Sequence, residues 1–127
     1  MDTPVEQHEV SDEGRGQVKI ASALNVLLGI WLVIAPFLLG YADVGTTLWN
    51  DVIVGAIVLI LAGTRVWRPA HNRWLSWTNV VLGIWLAIAP FILSYTATTA
   101  ALWNDIIVGI AVLILGAWSA IATPETA

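Results

Sequence analysis

Residues 22–61 read SALNVLLGIWLVIAPFLLGYADVGTTLWNDVIVGAIVLIL, and residues 76–115 read SWTNVVLGIWLAIAPFILSYTATTAALWNDIIVGIAVLIL. The two stretches align without a gap at an offset of 54 and agree at 25 of 40 positions. Shared positions include Asn25/Asn79, Gly29/Gly83, Trp31/Trp85, Pro36/Pro90, Tyr41/Tyr95, Asn50/Asn104, Asp51/Asp105 and Gly55/Gly109. A period of this length marks one supersecondary unit used twice. Each unit holds two long apolar runs, so the expected fold is all-α. It is a bundle of four transmembrane helices made from two tandem helical hairpins.

Composition supports a lipid environment. The chain is 58% hydrophobic and 11% charged, against about 25% charged in soluble domains. No charge falls between Lys19 and Asp43, or between Arg73 and Asp105. Such intervals exceed the ~20 residues that cross a bilayer core. Backbone cannot stay unpaired in lipid, so these runs are expected to be helices. The expected spans are about 20–39, 49–64, 74–93 and 102–120. The second is the shortest, with Asp51 expected at one interface and Arg65 snorkelling to the other.

Working outward, the expected organisation is an acidic, mobile tail over 1–17, a first hairpin over 18–66 and a basic link over 67–73. A second hairpin over 74–121 and a short tail over 122–127 complete it. The net charge of −4 owes most to Asp2, Glu6, Glu9, Asp12 and Glu13 in the tail. All five basic residues, Arg15, Lys19, Arg65, Arg68 and Arg73, fall at one expected end of the bundle. The positive-inside rule then places both termini and the link in the cytoplasm, as a multi-pass protein of the cell membrane. With two spans per repeat, both hairpins insert the same way up, related by a pseudo-two-fold axis along the membrane normal. Trp67, Trp74, Trp77 and Trp118 are expected at the inner boundary, and Tyr41, Tyr95, Trp49 and Trp103 at the outer one, where amphipathic rings sit at the headgroups. Trp31 and Trp85 fall deeper, as packing or lipid-facing groups.

Three patterns stand out within the repeats. Ser22, Asn25 and Gly29 share one helix face, as do Ser76, Asn79 and Gly83. They suit a close helix–helix contact with an interhelical hydrogen bond, or alternatively the polar lining of a substrate or water path. Asn50 and Asp51, with Asn104 and Asp105, open the even-numbered spans. They are expected as helix caps, or alternatively as a symmetric ion or proton site. Pro36 and Pro90 predict a kink or an early helix end.

Nothing in the sequence has the form of a catalytic site. There is no cysteine, and His8 and His71 have no ligand-spaced neighbour. No nucleophile–base pair, phosphate loop or metal spacing occurs, and no basic patch for nucleic acid. The expectation is a non-enzyme with no cofactor and no metal. Its partners are expected to be the lipid bilayer and either a second copy or a larger membrane complex. It is read as a structural or accessory component, the alternative being a small transporter or channel.

The doubled pattern Asn-x3-Gly-x-Trp-x4-Pro-aromatic, followed by Trp-Asn-Asp-x3-Gly, resembles the SPW-repeat family of small prokaryotic membrane proteins. That family is named for a Ser-Pro-Trp triplet near the end of the first helix of each unit. Here the triplet positions read Ala35-Pro36-Phe37 and Ala89-Pro90-Phe91, keeping the proline alone. The resemblance covers about residues 20–121. It implies the fold and a membrane location, but no established activity.

Overall fold

The computed structural model describes residues 4–68, 73–95 and 97–123. These residues form four helices in sequence: α1 (Pro4–Leu38), α2 (Gly45–Trp67), α3 (Arg73–Ile92) and α4 (Thr99–Ala122). Each is long and apolar enough to cross a membrane, since 20 residues of helix already rise about 30 Å. α1 packs on α2, α3 on α4, and α1 on α4, with a lighter seam between α2 and α3. The helices therefore sit at the corners of a square, with α1 diagonal to α3 and α2 diagonal to α4.

Side chains are distributed inside out relative to a soluble bundle. Large apolar groups face outward: Leu27, Ile60, Val81, Ile107 and Ile114 are each at least 60% exposed. Small and polar residues occupy the interior. With no hydrophobic drive between helices in lipid, close packing and polar contacts must hold the bundle. The packing is set by glycine. A Cβ built on Gly29 would lie 2.8 Å from the carbonyl oxygen of Gly55, and one on Gly83 2.6 Å from that of Gly109. Each hairpin thus closes where two glycines bring backbone against backbone. Between the ends of the bundle, Leu32, Val54, Val58, Leu86, Val108 and Val112 form one buried apolar cluster.

Both odd-numbered helices end the same way. Pro36 and Pro90 lie in the last turn, and the helices stop two residues later. Gly40 follows with φ +83° and Ser94 with φ +62°. The Tyr41 amide then donates to the Pro36 carbonyl at 2.9 Å, and the Tyr95 amide to that of Pro90 at 3.0 Å. This left-handed cap satisfies carbonyls the helix would otherwise leave open. The prolines therefore mark helix ends, the second of the two expected outcomes.

Several boundaries differ from expectation. Helix α1 reaches back to Pro4, so residues 4–17 are helical where a mobile tail is expected. Proline suits the first helical turn, where its missing amide has no intrahelical partner to lose. α2 and α4 begin at Gly45 and Thr99, after Val44 and Thr98, with no side-chain capping bond. Asn50, Asp51, Asn104 and Asp105 are therefore not caps. They lie more than a turn inside their helices, because the threonine and alanine residues ahead of them continue the helix. Residues 69–72, including His71 and most of the basic link, lie outside the described residues, as do 1–3, 96 and 124–127.

Candidate functional site: two polar layers in the bundle

At the carboxyl end of the bundle, the repeats interlock through side chains. Asp51 and Asp105 are each 0% exposed, and hydrogen bonds through Tyr41 and Asn104 link one carboxyl to the other. The Tyr41 hydroxyl donates to Asp51 at 2.6 Å, and the Tyr95 hydroxyl to Asp105 at 2.6 Å. The Asn104 amide nitrogen donates to the Tyr41 hydroxyl at 3.1 Å and to Asp105 at 3.3 Å. The Asn50 nitrogen does the same to Tyr95 at 3.2 Å and to Asp51 at 3.4 Å. The circuit is completed by indoles: Trp31 Nε1 donates to the Asn104 oxygen at 2.8 Å, and Trp85 Nε1 to that of Asn50 at 2.9 Å.

Every one of these bonds has its counterpart in the other repeat, which is the pseudo-two-fold symmetry expressed in side chains. The asparagine links run between repeats, so neither hairpin completes the layer alone. Tyr41 and Tyr95 are 2% and 3% exposed, a correction to their expected place in the outer aromatic belt. Trp49 and Trp103, at 62% and 58%, do face outward. Burial first, then the bond to Asp51, pushes the Tyr41 hydroxyl well above the usual phenol range. Tyr95 is shifted the same way by burial and Asp105. Both phenols therefore remain protonated donors. Thr47 is also fully buried at this end, and its hydroxyl has no partner among the described residues. Its repeat equivalent is Ala101.

The basic end has a second layer. Arg65 is 0% exposed and turns inward, so it does not snorkel. Its Nε donates to the Ser76 hydroxyl at 2.9 Å, and an Nη to that of Thr123. Ser119 bridges Ser22 at 3.1 Å and Ser76 at 2.8 Å. Each of the four helices contributes to this layer, and short hydroxyl side chains leave room for the long guanidinium among them. Arg73 closes the rim by donating to the Thr123 carbonyl at 2.7 Å, where a cation suits the negative end of α4. The layer breaks the repeat symmetry, because Arg65 matches Ser119 at the offset of 54.

Of the residues singled out by spacing, the bundle brings Asn50, Asp51, Asn104 and Asp105 together, and separately Ser22 with Ser76. Gly29 and Gly83 pair with Gly55 and Gly109 in backbone contact. Asn25 and Asn79 are buried, yet their amide oxygens accept no hydrogen bond from the described residues. The interhelical bond expected on that face is made by the serines. Sequence reasoning missed Trp31, Trp85, Tyr41, Tyr95, Arg65, Ser119 and Thr123 as parts of these layers. The first four carried a signal, being identical in both repeats.

Comparison with known families agrees with this architecture. The family model for the SPW repeat domain matches residues 19–119, and the chain belongs to that family. No curated protein and no solved structure matches it. With four apolar helices, it is a multi-pass integral membrane protein.

Proposed function

We propose that this SPW-repeat protein is a non-enzymatic structural or accessory component of the cell membrane. It self-associates or joins a larger membrane complex, with both termini and the inter-repeat link in the cytoplasm. The observation that carries this reading is how the interior is used. The carboxyl-end polar groups bond mainly to one another, and an apolar cluster separates them from the basic layer. What the bundle offers outward is a broad apolar perimeter suited to lipid and to other helices.

Crosslinking and native mass spectrometry in mild detergent test the association. A reproducible oligomer or co-purified membrane partner is expected, and a strictly monomeric, partnerless protein refutes it. Orientation is tested with Gly45→Cys and Arg68→Cys in intact cells under an impermeant thiol reagent. Labelling at 45 alone is expected; labelling at 68 alone inverts the topology.

The buried carboxyls of Asp51 and Asp105, joined through one hydrogen-bonded network, favour a second reading, a small transporter or channel, because ionisable groups inside membranes often mark pathways. Purified protein in liposomes would then carry a cation or proton flux that Asp51→Asn and Asp105→Asn abolish. Absence of flux in the unaltered protein removes this reading.

A further inference from the structure

Among the described residues the amide oxygens of Asn25 and Asn79 have no hydrogen-bond partner, although the two residues are only 1% and 2% exposed. A buried acceptor left unsatisfied costs about 1–3 kcal/mol. Lipid supplies no donor, and the oxygens lie well inside the spans. Asn79 is five residues past Trp74 on α3, about 7.5 Å along a helix axis. The same orphan occurs in both repeats, so it is a property of the repeated motif. A partner is required that the described residues do not provide.

Position and chemistry identify it. Each asparagine sits three residues further into the bundle than Ser22 or Ser76, and those serines belong to the Arg65–Ser119–Thr123 layer. That layer reaches the rim at Arg73, which is exposed. Polar side chains therefore run from the rim at the basic end to within one helical turn of both amides. Seven residues beyond each amide, Leu32 and Leu86 are fully buried in the apolar cluster with Val58 and Val112. The route stops there.

The missing group must be a donor. A cation at these oxygens would lie near the Arg65 guanidinium, and an anion would meet an acceptor. Water is small and neutral, donates two hydrogen bonds, and occupies polar cavities offering it two or more partners. Serine hydroxyls retain spare accepting capacity for its second bond.

We infer that Asn25 and Asn79 each hold a structural water molecule, making the basic half of the bundle a hydrated dead end closed by the Leu32–Leu86 layer. The two halves of the bundle then differ in kind. The carboxyl half closes mainly by side-chain pairing, and the basic half is completed by solvent. This goes beyond the structural role proposed above and does not depend on it.

The test is magnetisation transfer from water, by solid-state NMR, in the unaltered protein in lipid bilayers with labelled asparagine, serine and leucine. Transfer is expected at the side-chain amides of Asn25 and Asn79, as rapid as at Ser22 and Ser76, with Leu32 and Leu86 silent. Transfer at the amides no faster than at the two leucines overturns the inference, as does transfer at one amide only. Transfer that continues to Leu32 and Leu86 overturns the dead end. The double variant Asn25→Val with Asn79→Val, where it folds, should leave hydration ending at the serines. Where it does not fold, the comparison within the unaltered protein decides.

Discussion

Replacing Gly83 by alanine should loosen the second hairpin, and the cost can be worked from the crossing itself. The added Cβ would lie 2.6 Å from both the Gly109 carbonyl oxygen and the Leu113 amide nitrogen. Ordinary contact begins at 3.4 Å, so α3 and α4 must separate by about 0.8 Å at this point. Both obstacles are backbone, and neither can rotate away. A gap of that size forfeits roughly a quarter to a half of each dispersion contact along the seam. In a bundle held by packing, this belongs at the upper end of the range for overpacking, about 2–3 kcal/mol. Gly63→Ala is the matched control. A Cβ there meets nothing within 4 Å, and the repeat equivalent is already Ala117. Its effect should be neutral or stabilising, by up to about 1 kcal/mol from helix propensity. Thermal and denaturant unfolding in detergent, followed by tryptophan fluorescence and circular dichroism, measures both. Equal stability of the two variants would refute the claim that backbone contact at the glycine pairs sets the hairpin.

Three other substitutions address the polar layers and caps. Tyr41→Phe removes a donor from buried Asp51 and an acceptor from Asn104, for a loss of about 1.5–3 kcal/mol. Tyr95→Phe should cost the same, and markedly unequal unfolding free energies would contradict the symmetric network. Thr47→Ala deletes an unpartnered buried hydroxyl and installs the residue found at Ala101. It should raise stability by about 1 kcal/mol, and a loss in denaturant titration would show that the hydroxyl is in use. Ser94→Gly relieves a left-handed backbone at an exposed position. A gain of about 0.5–1 kcal/mol is expected after the added freedom of the unfolded chain is subtracted, while Gly40→Ala, its mirror, should lose stability in the same assay.

Fold class, duplication and the four crossings follow from the residues alone. Apolar length and the absence of charge are local properties, and lipid permits only helix for such runs. The close approach at Gly29 and Gly83 was also legible, since a missing Cβ on a small-residue face has one physical use in a bundle. Helix starts were less so. Asn50 and Asp51 look like caps, but Gly45 through Leu48 extend the helix and carry them inside. Which polar group meets which is set by the packed bundle. Trp31 reaches Asn104 across 73 residues and Trp85 reaches Asn50 across 35, while Arg65 turns in among Ser76 and Thr123 rather than out to the interface. Such choices depend on the rotation of each helix about its own axis and on its neighbours around the square. Those angles are fixed by packing among residues far apart in the chain, and periodicity within a single span carries no record of them.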